Sequence, residues 1–228
     1  MSCAYAAHTS IFFSPLCLHA DGLAHQPYFH SREGASRPAF FRGVATVCTK
    51  LFNIVQPDLA HFGQKDIQQA LLLRTMLKDL HLTHPTPSNL LIHPTTRAPP
   101  PSNLALSSRN AYLSDTELAS APTLHRALFA ARDLWAGNGG ATAGEMKAAA
   151  WKVMDEEERR TEGVVKGEYI EVFGPGTFRP PVQDERLGSE MRGEGWVVAG
   201  AMRCGKTRLI DNLLLGVDLG GGQEGKAE

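Results

Sequence analysis

The sequence predicts an α/β fold: a region of parallel sheet with covering helices, followed by a smaller α+β region. Three observations predict it. Between residues 43 and 92, short apolar runs alternate with stretches of helical period, the order expected when helices cross over a parallel sheet. After a Pro-rich connection, two Ser/Thr-x-x-Glu boxes open successive helical patterns, a signature of helix N-termini. Beyond them, strand-like runs separated by Gly and Pro predict a small antiparallel sheet.

Taken in order, residues 1–32 are rich in Ala, His, Ser and aromatics but keep no period. They are expected to be a poorly ordered leader. From Gly43, Val44, Val47, Cys48, Leu51, Phe52 and Val55 recur at helical spacing up to Pro57, which cannot continue a helix. Leu59 to Phe62 follows as a short strand, Gly63 as a turn, and Ile67, Ala70, Leu71, Leu73, Leu77 and Leu80 as a second helical face. Leu90 to Ile92 is another short strand. Residues 33–98 thus form the first region, and the Pro-rich Arg97 to Asn103 marks its boundary.

Residues 104–213 form the second region. Ser114 with Glu117 opens a helix expected to run towards Trp135, ended by Gly137, Gly139 and Gly140. Thr142 with Glu145 opens another, expected through Glu157. Glu168 to Phe173, Trp196 to Met202 and Thr207 to Ile210 are the expected strands, and 214–228 is expected to be a disordered, Gly-rich tail.

Composition narrows the function. The 228 residues carry 23 Lys and Arg against 24 Asp and Glu, a formal net charge of -1. Such a balance provides no broad positive field for a nucleic-acid backbone, so any anionic ligand must be held by a few placed groups. The longest apolar stretch near the start, Ile11 to Leu18, is interrupted by Ser14 and Pro15 and falls short of the ~20 residues of a membrane helix. The first basic residue is Arg32, so the basic flank of a signal peptide is missing and the expected address is the cytoplasm. Cys3, Cys17, Cys48 and Cys204 form no CxxC pair and are expected as free thiols. His81, His84 and His93 fix no third ligand by spacing, and no metal site is expected from them.

Two segments carry candidate chemistry. Phe62-Gly63-Gln64-Lys65-Asp66-Ile67-Gln68-Gln69 sits where a strand gives way to a helix. There free amides face an anion, and open α/β sheets place their ligands at this end of the strands. Gly63 permits close backbone approach, Lys65 supplies a charge, and Gln69 follows one turn later on the same face. Taken alone, the set is more often just a strand-to-helix turn with a solvated lysine. The second segment, Ser107-Ser108-Arg109-Asn110, puts two hydroxyls and a guanidinium in one loop, donors suited to phosphate. Alone, it too reads as a helix-entry loop with an exposed arginine.

Their order and neighbours are more specific. Gly34 to Pro38 (GASRP), Phe41 to Val47 (FRGVATV), Lys50 to Asp58 (KLFNIVQPD), Phe62 to Asp66 (FGQKD), Leu104 to Asn110 (LALSSRN) and Thr207 to Asn212 (TRLIDN) together resemble the pantothenate synthetases, the pantoate–β-alanine ligases. Phe40-Phe41 is more similar to the fungal branch than to the bacterial His-Phe. The resemblance implies a Rossmann-like nucleotidyltransferase domain of which residues 33–98 are the latter part, and a small lid domain after it. It implies a two-step reaction in which pantoate and ATP give a pantoyl adenylate and pyrophosphate, and β-alanine then releases AMP and pantothenate.

By the same resemblance, Gly63, Gln64, Lys65 and Asp66 are the ATP-contacting turn, with Lys65 on the phosphates. Gln69 contacts pantoate. Leu106, Ser107, Ser108 and Arg109 form the mobile ATP loop, and Thr96 is a further nucleotide-side position. Lys65, Ser107, Ser108 and Arg109 are the implied catalytic set, ATP and Mg²⁺ the implied cosubstrate and cofactor, and a homodimer the implied assembly.

Departures accompany the match. Family members begin with a Met-Gly-x-Leu-His-x-Gly-His motif, and also carry a second pantoate-binding glutamine and a magnesium-side aspartate. The nearest string here, Leu18 to His25 (LHADGLAH), lacks His-x-Gly-His and a preceding strand pattern. The chain is therefore expected to be the C-terminal portion of such an enzyme, inactive by itself; an inactive fragment that only binds nucleotide or another subunit is the alternative. Arg97 to Ala105 (RAPPPSNLA) is also longer than the family's segment and has lost its Asp-Gly.

Overall fold

A computed structural model describes residues 38–137, 139–188, 195–217 and 219 of the chain. The expected leader, the LHADGLAH string and the first residues of GASRP lie outside them.

The first helix, α1 (Pro38–Val55), starts five residues before the sequence pattern suggested. A proline is tolerated in the first turn, where its missing N–H has no intrahelical partner to lose. The helix buries Phe41 and Phe52, with Val44, Ala45 and Cys48 packed beside them, and the chain leaves it through Gln56 at φ 47° just before Pro57. Strand β1 (Ala60–Gly63) pairs in parallel with β2 (Leu90–His93), Ala60 opposite Leu90 and Gly63 opposite His93. Between them a 3-10 turn (Gln64–Asp66) leads into α2 (Ile67–Asp79), which buries Ile67, Gln68, Ala70, Leu71, Leu72, Leu73, Met76 and Leu77. This is the strand, turn, helix, parallel-strand order the sequence predicts.

In the second region, the helix expected from Ser114 to Trp135 is two helices. Helix α3 (Asp115–Ser120) opens on the Ser114/Glu117 capping box, and α4 (Thr123–Ala136) begins directly after Pro122. Pro122 has no N–H to give an i−4 carbonyl, and its ring collides with that carbonyl, so a continuous helix is not available. The Thr142/Glu145 capping box closes both of its hydrogen bonds at the start of α5 (Ala143–Arg160), after the two-residue strand β3 (Ala141–Thr142). Helix α5 runs three residues past the expected Glu157.

Strands β4 (Val165–Phe173), β6 (Trp196–Cys204) and β7 (Thr207–Leu215) form an antiparallel sheet in the order β4-β6-β7, while β5 (Arg186–Leu187) pairs with β3. All three long strands exceed their sequence outlines. Strand β7 runs two residues into the segment expected as tail, and Leu219 still packs on the core.

Two cores result. One joins α4 and α5 to their sheet through Leu124, Leu128, Met146, Met154, Val198 and Met202, with Trp135, Trp151 and Trp196 packed around it. The other joins α1, α2, β1 and β2 to Phe173, Phe178, Val197 and Ala199. The second core therefore crosses the Pro-rich connection. It sets the 3-10 turn against β7, and the cleft described next lies along that seam.

Candidate functional site

The turn after β1 takes its shape from both regions. Gly63 has extended dihedrals (φ −86°, ψ 136°) that any residue adopts, and a side chain there would meet no protein atom within 4 Å. The protein's own packing does not demand a glycine at this position. Asn212, on β7 and 1% exposed, reaches across the seam: its Nδ2 donates to the Gln64 carbonyl at 2.8 Å and to the Lys65 carbonyl at 3.1 Å. Its Oδ1 accepts from Gln64 Nε2 at 3.1 Å. Gln64 thus spends its side chain on β7 rather than on the open side of the turn.

Behind Asn212 stands a buried ion pair. Arg97 Nη1 and Nη2 donate to the two carboxylate oxygens of Asp211 at 2.7 and 2.9 Å, and Asp211 Oδ1 also accepts the backbone N–H of Asn212 at 2.9 Å. His125 Nδ1 lies 3.6 Å from Asp211 Oδ2. Burial alone would push the Asp211 carboxyl up. The facing His125 and Arg97 side chains outweigh it and hold the carboxyl below the usual carboxylate range.

The serine-rich loop is held from the same side. Across the Pro-rich connection, the Leu106 N–H donates to the Thr96 carbonyl at 2.9 Å and the Ala98 N–H to the Leu104 carbonyl at 2.8 Å. Arg97 and Ala105 form an antiparallel bridge between these two bonds. The lengthened segment is thus a loop closed at its base. Ser107 Oγ accepts the Arg109 N–H at 3.3 Å at the start of a 3-10 turn (Ser108–Tyr112), and Arg109 Nη1 donates to the Arg208 carbonyl on β7 at 3.4 Å.

These elements enclose a cleft of about 650 Å³, counted out through its open mouth. Lys65, Asp66 and Gln69 line it from one side and Arg109 from the other, joined by Arg208 and Asn212. Lys65 and Ser107 share a smaller adjoining pocket with His125 and Asp211. Of the residues singled out in the sequence, Lys65, Asp66, Gln69 and Arg109 meet in the main cleft. Gly63, Gln64, Thr96, Leu106 and Ser108 surround it without lining it; Thr96 acts through its carbonyl, and Leu106 is exposed.

Sequence reasoning gave no role to four residues the cleft uses. Arg208 supplies a third cation beside Lys65 and Arg109, and its Nε donates to Glu168 Oε2 at 2.6 Å. Asp211 and Asn212 form the support just described. Gln68 also lines the cleft, its buried Nε2 without a hydrogen-bond partner among the described residues. The usable signal was the run Thr207 to Asn212: adjacent Asp and Asn in a strand of apolar neighbours are costly to bury unless paired. Among the described residues, no three or more His, Cys, Asp or Glu come together to hold a metal ion, and no helix is long and apolar enough to cross a membrane.

Comparison with known proteins bears on the same segments. The profile of the family described as pantoate-beta-alanine ligase matches residues 4–214. The chain is 44% identical over 183 residues to the pantothenate synthetase of Chloroflexus aggregans, covering 80% of this chain and 59% of that protein. It is 42% identical over 185 residues to that of Moorella thermoacetica, covering 81% and 58%. Among solved structures, pantothenate synthetase from Thermus thermophilus superposes with a TM-score of 0.66 at 37% identity, covering 82% of this chain and 60% of the other. Pantoate-beta-alanine ligase from Francisella tularensis, complexed with beta-gamma ATP and beta-alanine, gives 0.51 at 26% identity, covering 82% and 55%. The chain therefore spans about three fifths of the length of the relatives it matches.

Proposed function

The chain belongs to the pantoate–β-alanine ligase family, and from that premise we propose that its cleft is the polyphosphate side of a site condensing pantoate with β-alanine at the expense of ATP. One observation carries the reading. Lys65 and Gln69 from the α/β region and Arg109 and Arg208 from the second region converge on one cleft.

The chemistry asks for this set. A carboxylate is a poor electrophile until it bears a good leaving group, so the pantoate carboxylate first attacks the α-phosphate of ATP and pyrophosphate departs. The amine of β-alanine then attacks the adenylate, releasing AMP and pantothenate. The first step brings an anion to an anion, and placed cations and amides must neutralise the phosphates and hold the reactants in line. Lys65, Arg109 and Arg208 supply the charge. Ser107 and Ser108 carry the hydroxyls of the loop, and the turn of Gly63, Gln64 and Asp66 carries Lys65 into the cleft. Thr96 and Leu106 fix the loop's base, and Gln69 hydrogen-bonds pantoate.

The family implies Mg²⁺ as well. Asp66 and Asp211 are carboxylates that line the cleft, and Asp211 is already paired with Arg97. Small-molecule substrates, a cytoplasmic setting and a homodimer complete the proposal. A non-hydrolysable pantoyl-adenylate analogue, which fills the nucleotide and pantoate positions together, tests it by calorimetry. The wild-type chain is expected to bind the analogue, with roughly ten-fold losses for both Lys65→Ala and Gln69→Ala, the scale of one charged or buried hydrogen bond. Equal binding by either variant would remove that residue from the site, and no binding by the wild type would overturn the reading.

A further inference from the structure

We infer that Asn212 is a positioning residue for the nucleotide turn: its side-chain amide, anchored through Asp211 and Arg97, fixes the Gln64 and Lys65 carbonyls and so sets where Lys65 stands relative to Arg109 and Arg208. The inference rests on the nucleotide reading of the cleft and adds a role for a residue of the opposite region.

Three features carry it. First, among the described residues the hydrogen bonds made by the Asn212 side chain go to one target, the Gln64–Lys65 segment: two from Nδ2 to carbonyls and one to Oδ1 from Gln64 Nε2. These bonds hold the carbonyl side of the 3-10 turn against β7. Second, Asn212 is itself held. Its N–H is donated to Asp211 Oδ1, and Asp211 is locked by the two Arg97 hydrogen bonds. Both Asp211 and Asn212 are buried at 4% and 1% exposure, a low-dielectric setting in which such a network is stiff. Third, the network and the cations share β7: Arg208 lies four residues before Asn212, and Arg109 is bonded to the Arg208 carbonyl. Fixing the turn to β7 therefore fixes Lys65 to the frame that carries the other two cations.

Only an amide at position 212 serves this purpose. A carboxylate of the same shape keeps the bond from Gln64 Nε2 but has no hydrogen for the two carbonyls and faces them with negative charge. Asn212→Asp thus removes the clamp while filling the same volume.

Two readouts on the full chain separate this inference from the reading beneath it. Hydrogen exchange of the ligand-free protein reports the clamp: amides of residues 64–67 are expected to exchange about ten-fold faster in Asn212→Asp, with those of α4 and α5 unchanged. Titration with MgATP reports its consequence, an affinity about ten-fold weaker than wild type. Unchanged exchange at the turn, or ATP binding equal to wild type, overturns the inference and leaves the nucleotide reading standing. A wild-type chain that does not bind ATP overturns both. Should Asn212→Asp fail to fold, Gln64→Ala takes its place, since it deletes one of the three bonds from the half-buried side; faster exchange at 65–67 is expected, and unchanged exchange overturns the clamp.

Discussion

Arg97 and Asp211 are joined by two parallel hydrogen bonds of 2.7 and 2.9 Å across the seam between the two regions. The arginine precedes the Pro-rich loop and the aspartate lies inside β7, so the pair ties the connection to the sheet. Its geometry is the bidentate fork that a guanidinium makes and an ammonium cannot.

Replacing Arg97 by Met keeps the stem and removes the charge, leaving the Asp211 carboxylate buried without its partner. Losses of about 3–5 kcal/mol are usual for such a change. The Arg97 side chain is 20% exposed, so water can replace part of its role and the lower end of that range is expected. Urea unfolding measures it; a loss under about 1 kcal/mol, the scale of a surface pair, would contradict a buried pair that matters.

Stability should also fall in acid through Glu157. This carboxyl, buried at the end of α5, is held down to about 2 from 4.5, first by its hydrogen bond from Arg160, against the opposing effect of burial, with Ser120 and Arg126 helping. A carboxyl whose folded pKa lies below its unfolded value stabilises the fold above the unfolded pKa and loses that contribution as protons bind the folded state. The window is therefore pH 4.5 down to about 2. Asp211, shifted in the same direction, adds to the slope. Glu157→Gln should flatten the dependence of the urea midpoint on pH in that window. An unchanged slope would show that Glu157 is not among the groups responsible.

Turnover by the 228-residue chain is a separate matter. The sequence holds no His-x-Gly-His string, the motif that the family resemblance leads one to expect. With MgATP, pantoate and β-alanine supplied, the purified chain is expected to form no pantothenate above the no-enzyme control. Pantothenate formation that Lys65→Ala abolishes would contradict this.

Local physics made much of the fold legible. Periodicity placed α1, α2 and the parallel β1 and β2, and both capping boxes close as the Ser/Thr-x-x-Glu spacing requires. What escaped was governed by single residues or by contacts distant in sequence. Pro122 splits one apolar pattern into two helices without changing its period, and Pro38 allows a start that hydrophobic spacing does not mark. Strand β7 continues to Leu215 because Leu213, Leu214 and Leu215 pair with β6, a partner invisible in local sequence.

The site divides in the same way. The strand-turn-helix around Lys65 and the serine-rich loop announce themselves by residue type, and the structure brings Lys65, Gln69 and Arg109 to one cleft. Arg208, Asp211 and Asn212 gain meaning only when β7 is set beside the turn. That placement comes from the core shared by α2, Phe173 and Val197, residues far apart along the chain.

Calorimetric titration of MgATP into the wild-type chain and into Lys65→Ala reads whether this cleft holds the nucleotide. Saturable binding by the wild type is expected, with a loss of roughly ten-fold or more on removing the ammonium. No binding by the wild type, or the same affinity in both proteins, would contradict it.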